Sequence, residues 1–142
     1  WPELEVLPAA QHMGIGVIPY MPLAGGILTA KMQSEKGSRT ASVEGEYGIS
    51  VSSEQIKSYQ DLCNDLGESP VAVAIAWTLA QPAVSSAVVG IRTLSHLDAM
   101  QSASELNLSE ETCCKFPLGA DVSNLFLTIK YHFPEAKEGS DL

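Results

Sequence analysis

Positive charge is scarce in this 142-residue chain: 8 Lys and Arg stand against 17 Asp and Glu, a formal net charge of −9. Phosphate backbones and anionic membrane surfaces are bound through clustered Lys and Arg, so neither nucleic acid nor membrane is an expected partner. Charged residues of both signs amount to only 18%, below the roughly 25% of an ordinary globular domain. Hydrophobic residues make up 45%, a share that excludes a disordered acidic chain. Cysteine is sparse as well. Cys63, Cys113 and Cys114 are an odd set without metal-ligand spacing, so neither a disulfide framework nor a metal site is expected, and a reducing cytoplasmic compartment is. Long apolar runs are missing: the longest, Pro70 to Ala80, falls far short of the roughly 20 residues of a membrane helix. No basic stretch leads into an apolar one near the N-terminus, so no secretory signal is expected. The chain begins at Trp1 rather than Met, which suggests processing or excision from something longer.

What is present is a series of short apolar runs separated by helix and strand breakers. Leu4 to His12 reads as a short helix ending near Gly14. Ile15 to Tyr20, between Gly14 and Pro22, reads as a buried strand, although Pro19 cannot donate to a ladder. Residues 23–49 are rich in Gly and Ser and read as a long loop of the kind that carries function or disorder. Ser52 or Ser53 caps a helix over Glu54 to Leu66, with Gly67 as its stop. Ser69 caps a second helix from Pro70 to Ala80, apolar nearly all round and therefore deeply buried, with Trp77 in the core. Ala87 to Ile91 reads as a second buried strand. A further helix opens at Thr93 or Ser95 and runs through Ala103, and Ser109 with Thr112 brackets the start of a last one. Beyond Phe116 no periodicity stands out, and residues 117–142 read as a divergent, partly disordered tail.

Strands alternating with helices indicate an α/β fold built from βα units on a parallel sheet. Two apolar strands are too few for a sheet covered on both faces, so other strands must supply their neighbours. This is the pattern of part of a fold.

The segment YMPLAGGILTAK at Tyr20 to Lys31 resembles the end of the seventh barrel strand in the aldo-keto reductase family. Gly37 to Arg39 (GSR) resembles a later part of the same loop. Leu66 to Thr93 (LGESPVAVAIAWTLAQPAVSSAVVGIRT) is similar to the helix and eighth strand that follow, and Leu108 to Thr112 (LSEET) to the start of the final helix. The similar branch is that of bacterial reductases and potassium-channel β subunits. The resemblance covers roughly residues 3–115. It implies a partial (β/α)8 barrel, strands seven and eight with their helices and a tail, of a fold that takes about 250 residues when complete. Residues 1–116 would be this reductase portion.

The resemblance carries site roles onto particular residues. The family's catalytic Asp, Tyr, Lys and His lie in the earlier part of its barrel, so no catalytic residue is expected on this chain. The expected cofactor is NADP(H). Tyr20 matches the aromatic residue that stacks on the nicotinamide, or else packs in the barrel mouth. Met21, Pro22, Leu23, Ala24 and Gly25 match the turn whose backbone follows the pyrophosphate; Met21 stands where the family has Ser, so one hydroxyl contact is lost. Gly25 and Gly26 permit close backbone approach. Lys31 and Arg39 match basic loop positions that neutralise cofactor phosphates, or are simply solvated charges. Gly90, Arg92, Thr93 and His96 match the site for the adenosine 2′-phosphate at a helix start, where backbone amides and a guanidinium converge. Arg92 favours NADP over NAD unless it pairs with an acid such as Asp98. Ala99 and Met100 replace the family's adenine-binding Glu-Asn, so that pair is missing.

The resulting expectation is the cofactor-binding, C-terminal portion of a reductase that turns aldehydes or ketones into alcohols in the complete barrel. A small carbonyl substrate is the partner there. The alternative is a truncated, non-catalytic piece that binds, regulates or has no function, prone to self-association through exposed strand edges.

Overall fold

Several of the described helices start or stop at a short-range signal. The computed structural model describes residues 4–29, 51–91, 93–116 and 130–132. Helix α1 (Val6–Met13) ends on Gly14, whose φ of 67° supplies the left-handed cap, with exposed His12 in its last turn. Helix α2 (Ser53–Leu66) begins with a capping box. The Ser52 hydroxyl accepts from the Gln55 amide at 3.1 Å, and the Gln55 side chain accepts from the Ser52 amide at 2.9 Å. Gly67, at φ 68°, closes it in a Schellman arrangement, with the Glu68 amide donating to the Cys63 carbonyl at 3.0 Å. Helix α3 (Pro70–Leu79) follows at once, with proline in the first turn and the Ser69 hydroxyl accepting from the Ala72 amide at 3.1 Å. Helices α4 (Leu94–Glu105) and α5 (Glu110–Cys114) complete the set among the described residues.

Helix α3 is the axis of the core, since all of Ala72 to Thr78 is buried. One side meets Tyr59 and Cys63 of α2, together with Ala24, Ile27 and Leu28 from the turn after the first strand, and Phe116. The other side meets α4, where Met100 and Ala103 pack with Ala72 and Ile75. Its buried hydroxyl, on Thr78, donates to the Ala74 carbonyl at 2.8 Å, so burial leaves no hydrogen-bonding loss there. Phe116 lies stacked on Trp77, with ring centroids 4.6 Å apart, and edge-on to Tyr59 at 5.3 Å. The Trp77 indole N–H donates to the Cys113 carbonyl at 3.2 Å, tying α5 to α3. Cys113 is half-buried and Cys114 exposed, as adjacent positions on a helix require.

Strand β1 (Gly16–Ile18) packs Val17 against Leu7 and Ala10 of α1. Its pairing differs from the expected parallel sheet in two respects. Ala87–Ile91 does not form a strand. Within it, Val88 meets Tyr20, just past β1, in a single parallel bridge, and Val84, ahead of the segment, meets Val17 of β1 in another. Its side chains are not buried either: Val88 is 54% and Ile91 49% exposed. An apolar run is buried throughout only where both of its faces are covered; here Val89 packs against the Ala72–Ile75–Ala103 cluster while Val88 and Ile91 stay half exposed. Secondly, β2 (Lys130–His132) pairs antiparallel with β1, in a part of the chain where the pattern gave no sign of a strand.

Among the described residues no helix is long and apolar enough to cross a membrane, and no group of three or more His, Cys, Asp and Glu could hold a metal ion.

Candidate functional site

The parallel bridges fix where the chain's two distinctive connections emerge. Val17 is bridged to Val84 and Tyr20 to Val88, so both segments run the same way. The turn that follows Tyr20 and the Gly90–Thr93 link into α4 therefore leave from the same end of the pair. In α/β folds with parallel strands, that end is where ligands are held.

The turn itself is conformationally unusual. Met21 has φ 63°, Ala24 52°, Gly25 65° and Gly26 108°. Positive φ is free for glycine but disfavoured for Met and Ala, which points to a backbone held by its surroundings. Those surroundings are visible. Ala24, Ile27 and Leu28 are buried in the α2–α3 core, with Met21 and Leu23 packed at its margin. The Leu23 carbonyl accepts from both the Gly26 and Leu28 amides, at 2.9 and 3.2 Å, and the Met21 carbonyl accepts from Ala24 at 2.9 Å. Pro22 is buried and Tyr20 half-buried at the mouth of the turn. The amides of Ala24, Gly26, Ile27, Leu28 and Thr29 all donate to carbonyls of the turn, so its own hydrogen bonds as well as the core hold the backbone in place.

The second connection is open. A side chain at Gly90 would meet nothing within 4 Å. Thr93 stands at the N-cap of α4 and, with His96, is exposed. The His96 amide donates to the Thr93 carbonyl at 3.1 Å. The start of a twelve-residue helix with polar residues around it is a favourable place for a phosphate. Lys31, Arg39 and Arg92 lie outside the described residues. Of the expected site, then, Tyr20 to Gly25 and Gly90, Thr93 and His96 issue from one end.

Met100 joins the cluster formed by Ala72, Ile75 and Ala103, so this position serves the α3–α4 contact. Tyr59, outside the expected site, is also structural: it is buried in the core and its hydroxyl donates to the Pro70 carbonyl. Burial pushes that phenol well above its ordinary range, with Cys63 beside it acting in the same direction. Burial likewise pushes the Cys63 thiol up, which keeps it protonated and unreactive. Sequence reasoning missed Ala83, which has φ 66° and whose carbonyl accepts the Val17 amide at 2.8 Å. Nothing in an alanine signals that conformation.

Comparison with known proteins bears on this arrangement. The chain is 41% identical over 110 residues to the uncharacterized oxidoreductase YrpG of Bacillus subtilis, covering 77% of this chain and 33% of that protein. It is 30% identical over 118 residues to the versiconal hemiacetal acetate reductase of Aspergillus parasiticus, again covering 77% of this chain and 33% of the relative. The chain thus spans about a third of the length of the curated relatives it matches. The sequence pattern of the Aldo/keto reductase family, whose fold is a (β/α)8 barrel, matches residues 2–115. Those residues include α1, β1, the strained turn and helices α2 to α5, and they make this chain a member of the aldo/keto reductase family.

Proposed function

We propose that this chain is the cofactor-holding portion of an NADP(H)-dependent reductase of aldehydes and ketones, contributing the seventh and eighth strands of a (β/α)8 barrel from residues 1–116. The observation that carries the reading is the common end from which the strained Met21–Gly26 turn and the Gly90–Thr93 link emerge, within a stretch matched by the family pattern. The residues fit a dinucleotide. Tyr20 offers a half-buried aromatic face to a nicotinamide, and the turn offers backbone to a pyrophosphate. Gly90 leaves open space ahead of the helix that starts at Thr93 and carries His96, a place for the 2′-phosphate with Arg92 as its counter-charge. When bound, the nicotinamide supplies a hydride to a carbonyl carbon. This chain's own residues bind and orient it, and a residue elsewhere in the barrel supplies the proton; fixed orientation is itself a large part of such a rate. Localisation in the cytoplasm agrees with the three free cysteines.

Titrating the 142-residue chain with NADPH and NADH, followed by fluorescence, tests the reading. NADPH should bind at least about tenfold more tightly, a difference of about 1.4 kcal/mol. Arg92→Ala should erase that preference while leaving NADH binding unchanged. Absence of binding to either nucleotide overturns the cofactor assignment. A second reading, a non-catalytic barrel piece that serves as a binding module, draws support from the antiparallel seat of β2 on β1. Reduction of a simple aldehyde by these 142 residues with NADPH would sink it.

A further inference from the structure

Strand β1 is hydrogen-bonded on both edges, and the two edges are of opposite sense. On one, the Val17 amide donates to the Ala83 carbonyl at 2.8 Å, the Val17 carbonyl accepts from Ser85 at 2.9 Å, and the Pro19 carbonyl accepts from Val88 at 2.8 Å. This edge is parallel. The N–H and C=O of one strand residue point to the same side, so Val17 is committed to this edge and Gly16 and Ile18 face the other. There β2 lies antiparallel, with His132 opposite Gly16 and Lys130 opposite Ile18. A (β/α)8 barrel gives every strand two parallel neighbours. The edge that a barrel reserves for the strand before β1 is therefore held here by the chain's own tail, running in the wrong direction.

We propose that Lys130–His132 is an exchangeable edge strand, which covers the second edge of β1 and must leave before a parallel barrel strand can dock there. The proposal rests on the barrel reading given above. Three features support exchange. The ladder is only three residues long, the shortest kind of strand contact. The parallel edge uses a different residue of β1, so its bonds do not depend on β2. Covering matters because a bare edge is a template for pairing with another chain. The tail strand would thus trade one occupant of the edge for another and leave the edge closed in both states.

Amide hydrogen exchange by NMR on the 142-residue chain, with and without Lys130→Pro, tests this. Proline at position 130 removes the N–H that faces Ile18. The amides of Gly16 and Ile18 should then exchange at least about tenfold faster, while those of Val17, Ser85 and Val88 keep their rates. Ending the chain after Phe116 should give the same pattern. Unchanged rates at Gly16 and Ile18 would overturn the proposal, because the edge would not be covered by β2. Acceleration of all five amides together would overturn it too, because β2 would then be an integral part of the fold. Nucleotide binding is read separately. A chain that binds no NADPH yet shows the selective pattern loses the reductase assignment and keeps the exchangeable strand.

Discussion

Replacing Phe116 with alanine should remove the ring that joins the two largest aromatic groups of the core. Phe116 is buried, stacked on Trp77 at 4.6 Å and edge-on to Tyr59 at 5.3 Å. Truncating a buried Phe to Ala costs about 3–5 kcal/mol, including the cavity left behind. The ring contacts with Trp77 and Tyr59 place Phe116→Ala toward the upper part of that range. Against a whole-domain stability of about 5–15 kcal/mol this is a large fraction. With a urea slope of about 2 kcal/mol per molar, the midpoint should fall by about 2 M. Phe116→Leu keeps most of the volume and should cost about 1–2 kcal/mol, a measurable value even where alanine unfolds the chain. The assay is urea unfolding followed by far-UV circular dichroism and by tryptophan fluorescence. The consequence for the site is direct, because Ala24 and the packed Met21 and Leu23 belong to the same core as Phe116. Amide exchange at Ala24 and Gly26, which donate within the turn, should quicken in the leucine variant. A loss below about 1 kcal/mol for Phe116→Ala would refute the view that this ring closes the core behind the turn.

Alkaline pH should weaken the fold through two buried groups. Tyr59 and Cys63 both hold their protons more tightly folded than their ordinary values of 10.0 and 9.0. Stability is therefore full below about pH 9 and falls as pH rises, by about 1.4 kcal/mol per pH unit for each group ionised on unfolding. Urea midpoints at pH 7, 9.5 and 10.5 check this, and Tyr59→Phe should flatten the decline above pH 10 while costing about 1 kcal/mol at pH 7. A flat profile would mean these groups ionise without unfolding. Ser69→Ala should cost about 1 kcal/mol by removing the cap of α3, whereas Ser69→Gly should cost only a few tenths. Equal losses in thermal melts would show that the hydroxyl is not what starts the helix.

The helices were legible because their signals are local. Ser52, read with Ser53 as the alternative caps, Gly67, and Ser69 with Pro70 act within three or four residues, and the structure uses Ser52, Gly67, Ser69 and Pro70; the Gln55 half of the capping box was not read. The burial of α3 and Trp77 was equally plain from an apolar surface with no polar side. Strand pairing was not legible, because it depends on distant partners. The apolar residues of Ala87–Ile91 announce burial, yet Val88 and Ile91 stay about half exposed. Three residues at 130–132 carry no periodicity and become a strand only because β1 offers an edge. At the candidate site, the glycines of the turn were readable. The positive φ of Met21, Ala24 and Ala83 was not, since packing and not residue type imposes it. The roles proposed for Tyr20, Gly90 and Thr93 come from family resemblance, since residue type alone suggests none.

Helix α3 has a consequence for how the chain is made. With every position from Ala72 to Thr78 buried, it has almost no face that it can show to water. Its neighbour α2 is synthesised just before it, but the carbonyl that receives the Trp77 indole N–H lies 36 residues downstream. At roughly 5–20 residues per second, that partner follows about 2–7 s later. During that interval an apolar rod waits beside a half-built core. Helix–helix contact forms in a small fraction of that time, so α2 would shield one flank early and the rest would wait for α4, α5 and Phe116. The birth of this core is set by translation speed, and slowing the ribosome between α3 and α5 would lengthen its most aggregation-prone moment.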